Sequence, residues 1–344
     1  MSRVFVYTYH RIFPKKSYEI GLKLFDFHLR VFKNFFEVLD WERFKAYLEG
    51  EYKPKKRAVF ITFDDGYTDN FVYAYPLLKK YGLKAHLFVT PSRVLNKSTV
   101  RPSLEDYWNG KVQFKELFKP KPMWEAQKEF LQKGESGEFL TWEELRIMSD
   151  VFSFGSHGID HLQGFVSDRL VDVAEDRHLN RIYSLWGIYS PPKAGYPIFE
   201  MKSNLVAPTG RVKREVLEFC ESFPKNGRNW REKLKEELLK NFPSPLEFES
   251  EGEYTKRVEK DLSLSKELIE KNLGVEVDNF SYPWGDYSER LLPLVGKYYR
   301  YAFTVEKENV RPKGERLKIP RIYAVKDVFT FIGHLFRFTI ASNV

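Results

Sequence analysis

The sequence has 344 residues, of which 42% are hydrophobic, and a formal net charge of +8. A length of this size fits one large domain with insertions, because α/β barrels often run to about 250 residues as a single domain. The single cysteine excludes an internal disulfide framework. No stretch approaches the roughly 18 apolar residues of a transmembrane helix. Acidic and basic residues are interspersed without a nucleic-acid-binding motif, and charged residues appear early in the chain, so we expect a cytoplasmic protein.

Short apolar runs bounded by turn residues predict parallel strands that are covered on both faces. The candidate strands are Val4–Tyr9, Ala58–Phe63, Ala85–Thr90, Val151–Gly155, Asn279–Tyr282 and Tyr301–Val305. Helical periodicity fills the segments between them. The candidate helices are Asp69–Tyr81, Thr141–Met148 and Tyr254–Asn272. The second of these helices begins with a Thr-x-x-Glu capping box, and Gly274 is a plausible stop for the third. Strands that alternate with helices indicate βαβ units and a parallel sheet or barrel.

Two polar, proline-punctuated stretches interrupt this alternation, at about residues 93–137 and 189–250. The second stretch contains one helical piece, Trp230–Asn241. We interpret both as insertions on the rim of a single catalytic domain that spans residues 1–344, where they would shape the substrate groove. The apolar tail Val328–Ala341 includes His334 and Arg337, and we expect it to form a packed helix.

The first group of candidate functional residues is Asp64-Asp65-Gly66, directly after a predicted strand. In parallel α/β folds the carboxyl ends of the strands form the functional edge of the sheet. Two neighbouring carboxylates that leave a strand in different directions can take separate roles there. The same residues also suit an ordinary turn with a helix N-cap, and alone they favour that interpretation.

The second group contains two histidines four residues apart, His157 and His161, again after a predicted strand. Imidazole nitrogen is a preferred zinc ligand, although two surface histidines on a loop would give the same pattern. The third group is the turn Tyr282-Pro283-Trp284-Gly285. Such a turn can present an aromatic wall and a backbone N–H to a sugar, or it can be an ordinary Pro-Gly turn.

The combination of the three groups is more informative than any one of them. One aspartate and two histidines form a three-ligand metal site with open positions, which is the catalytic arrangement and not the structural one. The remaining aspartate can serve as a general base beside the metal. Together these residues predict metal-assisted hydrolysis.

These motifs resemble those of the polysaccharide deacetylase family, also called the NodB-homology family or carbohydrate esterase family four. The matching segments are TFDDGY at 62–67, SHGIDH at 156–161 and SYPWG at 281–285. The resemblance implies an α/β fold, a distorted (β/α)7-type barrel with parallel strands. It also implies a hydrolase of carbohydrate metabolism that removes N-acetyl groups from an N-acetylated sugar or polysaccharide and releases acetate.

The resemblance also assigns roles to individual residues. It implies that Asp65, His157 and His161 hold one divalent metal ion, with zinc the expected choice, and that Asp64 is the general base. Tyr282 and Trp284 are the residues it assigns to substrate contact and to stabilisation of the oxyanion.

The segment Tyr7–Ile12, with the sequence YTYHRI, resembles the N-terminal motif of the circularly permuted branch of the family. That branch includes poly-N-acetylglucosamine deacetylases, and the resemblance implies that His10 is the general acid. The late histidine His334 lacks the Leu-x-His context that carries this role in the unpermuted branch.

The sequence departs from the family pattern at three positions. The aromatic residue at Trp284 is larger than the usual Tyr or Phe. Gly158 follows the first histidine, where the family often has Ser or Thr. Ser281 stands where the family commonly has an arginine that orients the base, and Arg321 is a candidate replacement.

Two other classes of function remain open. A glycosidase would use the paired carboxylates to cleave a glycosidic bond and would not need the two histidines. A non-catalytic carbohydrate-binding relative is the other possibility, because of the missing arginine.

Overall fold

The computed structural model describes residues 4–15 and 19–339. In chain order its strands are β1 (Val4–Tyr9), β2 (Ile12–Phe13), β3 (Ile20–Gly21), β4 (Glu37–Leu39), β5 (Ala58–Asp65), β6 (Ala85–Val89), β7 (Phe152–Ser156), β8 (Gln163–Val173), β9 (Pro197–Ser203), β10 (Gly210–Val212), β11 (Leu246–Phe248), β12 (Asn279–Ser281), β13 (Tyr301–Phe303) and β14 (Ile322–Tyr323).

The α-helices are α1 (Leu22–Phe35), α2 (Trp41–Glu49), α3 (Tyr75–Tyr81), α4 (Leu104–Trp108), α5 (Met123–Lys133), α6 (Trp142–Met148), α7 (Asp176–Arg181), α8 (Ser184–Tyr189), α9 (Arg214–Ser222), α10 (Trp230–Asn241), α11 (Glu251–Leu273), α12 (Leu291–Tyr298) and α13 (Val328–Thr339). Among the described residues, no helix is both long and apolar enough to cross a membrane.

The main sheet has eight strands, and seven of them follow the order β13-β12-β7-β6-β5-β1-β14. All pairings in this sheet are parallel, and β4 pairs with the first half of β5. A parallel bridge between Phe303 and Ile319 joins β13 to the segment that leads into β14. The curled sheet therefore closes between β13 and this segment, which confirms the predicted (β/α)7-type barrel.

Side chains on both faces of the strands are buried, which explains why the strands are continuously apolar. On β1, Phe5 and Tyr7 pack outward in the large cluster that includes Leu29 and Phe32 of α1. The alternate residues of β1 face a second cluster with members from several other strands and from α2. This cluster includes Val4, Val6, Trp41, Phe44, Phe60, Phe88 and Phe303.

The strands and helices predicted from apolar runs are all present, with shifts of one or two residues at most of their ends. The helix expected over Asp69–Tyr81 starts as a π-helical turn, Asn70–Ala74, and continues as α3. Thr141 forms the predicted capping box of α6, and Gly274 ends α11 in the left-handed conformation. The predicted C-terminal helix is α13, while Ile340 and Ala341 lie outside the described residues.

A second, antiparallel sheet has the order β11-β10-β8-β9 and its own apolar core. It begins at Gln163, well before residue 189, where the sequence places the start of the second insertion. The strand β8 has exposed polar residues on one face, so it lacks the continuous apolar run that identified the barrel strands. Helix α5 of the first interrupting stretch contacts this unit, since the Lys128 ammonium lies 4.9 Å from the centre of the Trp186 ring.

Candidate active site

The carboxyl ends of the barrel strands bring most of the predicted site residues to one edge of the sheet. His10 follows β1, the aspartate pair ends β5, and the two histidines follow β7. The same edge receives the turn after β12 and the residue before β14. The residues gathered there are His10, Asp64, Asp65, His157, His161, Trp284 and Arg321.

Asp65, His157 and His161 form the candidate metal centre. The Oδ1 atom of Asp65 lies 3.8 Å from Nε2 of His157 and 3.7 Å from Nε2 of His161. Ligand atoms that each lie about 2.0–2.2 Å from one ion are at most roughly 4.4 Å apart, and both distances from Asp65 fall within this limit. Ligand atoms of all three residues lie within 4.8 Å of one another. All three side chains are buried. The donor set therefore fits one divalent cation with open coordination positions.

The orientation of His157 also suits metal binding. Its Nδ1 lies 2.8 Å from the carbonyl oxygen of Ser281. Because a carbonyl oxygen only accepts hydrogen bonds, Nδ1 carries the proton and the lone pair of Nε2 faces Asp65. Burial lowers the pKa of both His157 and His161, although the nearby carboxylates oppose this shift. The neutral ring, which is the form that binds a metal, is therefore favoured.

The two oxygens of Asp64 have different environments. Oδ1 accepts a hydrogen bond of 2.8 Å from Nη1 of Arg321. Oδ2 lies 3.9 Å from Nε2 of His10 and 3.8 Å from Nε2 of His157, too far for a hydrogen bond. Burial alone would raise the pKa of Asp64, but Arg321, His157 and His10 outweigh it and hold the pKa below its ordinary value. Asp64 is thus a buried carboxylate with one oxygen fixed and the other facing the metal centre.

Arg321 holds this carboxylate in place through a set of buried bonds. Besides Asp64, it donates to Oγ of Ser281 at 2.7 Å and to the carbonyl of Thr304 at 3.0 Å. The sequence proposed Arg321 as the residue that replaces the missing family arginine, and its contacts fit that role. The guanidinium comes from the segment before β14, and Ser281 supplies an acceptor at the position that the family gives to arginine.

The backbone around His10 is fixed by the residues that follow the aspartate pair. Asn70 donates from Nδ2 to the carbonyl of His10 at 2.9 Å. Asp69 accepts from the backbone N–H of Ile12 at 2.7 Å and from Nε of Arg11 at 2.8 Å. The imidazole itself is partly open, with 23% of its side chain exposed. These bonds leave the ring accessible while they fix its attachment point.

Backbone strain is concentrated in the site. Among the described residues, five non-glycine residues have a positive φ, and three of them are Asp65 (75°), His161 (51°) and Trp284 (66°). Such conformations cost about 1–3 kcal/mol each, and they persist where the surrounding structure imposes them. Their location in one cluster supports a functional reason for the geometry.

Asp261 of α11 supports the loop that carries the two histidines. Its Oδ1 accepts a hydrogen bond of 3.0 Å from the N–H of Ile159. Gly158 has a φ of +74°, and a Cβ atom there would lie 3.2 Å from the same oxygen. Burial raises the pKa of Asp261 to about 7. The tight, left-handed loop explains why glycine stands where the family often has Ser or Thr.

Trp284 and Tyr282 have different locations, although the sequence assigned both to substrate contact. The Trp284 ring lies 5.1 Å from the ring of His161, and no described residue hydrogen-bonds to its buried Nε1. The Tyr282 side chain is fully buried in the core, and its hydroxyl donates to the carbonyl of Leu317 at 3.0 Å. The Tyr282 side chain therefore packs in the core, and the assignment of Tyr282 to substrate contact stays a prediction.

Two residues of the site were not identified from the sequence. Arg93, which follows β6, is buried, and its Nη1 lies 3.3 Å from Oδ1 of Asp65. Tyr183, between α7 and α8, stacks on Trp284 with ring centres 5.6 Å apart. The position of Arg93 after a predicted strand was a usable signal. The sequence around Tyr183 contained no such signal, because no predicted strand places that segment at the edge of the sheet where the site lies.

Comparison with known proteins gives the same assignment as the motifs. Residues 51–177 match the sequence description of the polysaccharide deacetylase family. The chain is also 38% identical over 93 residues to YxkH of Bacillus subtilis, which is named as a polysaccharide deacetylase. That match spans 27% of this chain and 33%, about a third, of the relative.

Two solved structures share the fold over nearly the full length. The de-N-acetylase from Aggregatibacter actinomycetemcomitans has a TM-score of 0.58 at 18% identity, with 97% of this chain and 100% of that chain covered. The deacetylase PplD of Streptococcus pyogenes, solved with acetate, has a TM-score of 0.55 at 16% identity, with 98% of each chain covered. The motifs, the barrel and the family match agree, and residues 51–177 form a polysaccharide deacetylase domain.

Proposed function

We propose that this protein is a metal-dependent hydrolase that removes N-acetyl groups from an N-acetylated glycan and releases acetate. The observation that carries the proposal is the arrangement of two adjacent aspartates. One, Asp65, joins two histidines in a cluster fit for a divalent cation, and the other, Asp64, directs a free oxygen toward that cluster.

Asp65, His157 and His161 would hold the ion, and zinc suits a set of one carboxylate and two imidazoles with open positions. When bound, such an ion would polarise the acetyl carbonyl and lower the pKa of a water molecule to about 7 in favourable sites. Arg93 contacts the same carboxylate oxygen and donates to backbone carbonyls of the histidine loop, so it would keep these ligands in position.

Asp64 would be the general base. Its pKa is held below the ordinary value, so it is ionised at neutral pH and can accept a proton from the attacking water at Oδ2. Arg321 fixes the other oxygen and so limits the directions in which the carboxylate can turn. A base with this fixed orientation loses little entropy when the reacting groups come together.

His10 would be the general acid that protonates the departing amine. Its Nε2 lies 3.9 Å from Asp64 Oδ2, on the same side of the barrel, and the ring is partly exposed toward incoming substrate. The backbone N–H of Trp284 would help to stabilise the oxyanion, and its indole would form a wall against the sugar. An acid supplied by the N-terminal segment is the arrangement expected of the circularly permuted branch.

The named relatives support the same chemistry. One structural neighbour is a de-N-acetylase and another was solved with acetate, the product we propose here. The two alternative functions lose support. The argument for a non-catalytic relative was the missing family arginine, and Arg321 makes a bond to the base in its place. The argument against a glycosidase is that it has no use for the buried histidine pair.

The proposal can be tested with a panel of glycans that carry either N-acetyl or O-acetyl groups, with zinc-loaded protein. We expect acetate release from an N-acetylated glycan together with an equal amount of free amine and no new reducing ends. New reducing ends without acetate would identify a glycosidase. Glycan binding without either product would identify a non-catalytic carbohydrate-binding protein.

A further inference from the structure

The insertion that carries the second sheet contributes a residue to the active site. Tyr183 lies between α7 and α8, and its ring is stacked on Trp284 with centres 5.6 Å apart and an angle of 23° between the ring planes. Trp284 in turn lies 5.1 Å from His161. The three rings therefore form a continuous row from a candidate metal ligand to the insertion.

Tyr183 also lies near charged residues of the site. Burial raises the pKa of Tyr183, while the charges of Arg93 and Asp65 act on the same hydroxyl in opposite directions. Among the residues that the structure describes, no hydrogen bond contributes to this pKa, so the hydroxyl can bind a ligand.

We infer that Tyr183 is a substrate-binding residue, which contacts a sugar ring of the N-acetylated glycan through its hydroxyl and its partly exposed ring. A sugar offers both apolar C–H faces and hydroxyl groups, and pockets for such ligands combine aromatic walls with a few polar groups. A neutral phenol can donate a hydrogen bond and accept one. The inference rests on the proposed function and adds the insertion as a determinant of glycan recognition.

The same insertion offers a matched control. The hydroxyl of Tyr196 donates to Oε1 of Glu221 at 2.5 Å within the insertion, and neither residue contacts the active-site residues named above. Tyr196→Phe removes one tyrosine hydroxyl, as Tyr183→Phe does, but at a position with no proposed contact to substrate. Tyr183→Leu removes the ring as well and completes the series.

We would measure kcat and KM on two substrates, the pentamer of N-acetylglucosamine and 4-nitrophenyl acetate, which has an acetyl group but no sugar. Loss of a neutral hydrogen bond should lower kcat/KM of Tyr183→Phe on the pentamer by about 3–10-fold, mainly through KM. Tyr183→Leu should lose more. Zinc content and Tm should stay near those of the unaltered protein and of Tyr196→Phe, and any loss of activity on the small ester should be smaller than the loss on the pentamer.

Binding of the pentamer would also be measured by calorimetry in zinc-loaded Asp64→Asn protein, where turnover is blocked. Pentamer kinetics and affinity that are unaltered in both Tyr183 variants would overturn the inference. A parallel loss of zinc, ester activity and Tm would overturn it too, because it would make Tyr183 a structural support. Pentamer binding that depends on Tyr183 in a protein that never releases acetate would refute the proposed function and leave this inference standing.

Discussion

At the scale of single residues, the site depends on how neighbouring side chains give two adjacent aspartates different tasks. Asp65 faces two histidines and Arg93, whereas Asp64 is fixed by Arg321 and keeps one oxygen free. The sequence identified the pair and the expected division of roles from its motifs. It also offered Arg321 as a residue that orients the base, but it could not show the contacts, because Arg321 lies far from the pair along the chain and meets it only in the folded barrel.

The two aspartates should respond differently to the same substitution. Asp64→Asn should lower kcat by at least about 10²–10⁴-fold, the usual contribution of a general base, and should leave bound zinc at one ion per chain. Asp65→Asn should lose both zinc and activity, because it removes a ligand. Metal analysis and acetate release measured on the same samples test this, and equal loss of zinc in both variants would contradict it.

Arg321 should control the pH range in which the base works. Removal of the guanidinium takes away the largest contribution that holds the pKa of Asp64 down against burial, so that pKa should rise in Arg321→Gln. Since the base must be ionised, the acidic side of the profile of kcat/KM against pH should move to higher pH. Arg321→Lys should move it less. A profile with the same acidic side in all three proteins would rule out this role.

His10 should act on catalysis and not on the metal. His10→Ala should lower kcat by about 10²–10⁴-fold, as expected when a general acid is lost, with zinc content and folding unchanged. The measurement is single-substrate kinetics alongside zinc analysis and circular dichroism. Full activity in this variant would move the acid role to another residue, and His334, beside Tyr7 of β1, would be the next histidine to test.

At the scale of elements, each proposed catalytic group sits at the carboxyl end of a strand or just beyond it, and polar contacts fix these segments. The strand ends and their shared edge were predictable, because apolar runs followed by turn residues mark the carboxyl ends of parallel strands. The fixing contacts were not predictable. Asp69 and Asn70 look like helix-starting residues in the sequence, yet they bond across to the segment that carries His10. The side-chain positions of Tyr282 and Trp284 were not predictable either. Both residues belong to one turn, but the Tyr282 side chain lies in the core and the Trp284 ring lies beside His161.

The contact between Asn70 and His10 gives a test at this scale. Asn70→Ala removes the bond to the His10 carbonyl and should lower kcat by about 10-fold or more, because a small misplacement of a catalytic group is costly. The same substitution should cost little when His10 is already alanine. A double-mutant cycle on kcat measures this coupling. Equal losses in both backgrounds would show that Asn70 acts on the fold and not through His10.

At the scale of the whole molecule, a parallel barrel holds the candidate active site, and a smaller antiparallel sheet is added to it. The barrel was predictable from continuous apolar strands such as Ala58–Asp65, which are buried on both faces. The second sheet was not, because its strands are short or half exposed and read as irregular polar sequence. Its early start at Gln163 has a consequence for function, since the added segment contains Tyr183.

The most direct test of the account is acetate release from an N-acetylated glycan before and after removal of metal. Chelated protein should stay folded and lose activity, and one equivalent of zinc should restore it, since the ligands Asp65, His157 and His161 are already assembled. Asp65→Asn, treated in the same way, should not recover. Undiminished acetate release by protein shown to contain no metal would contradict the account.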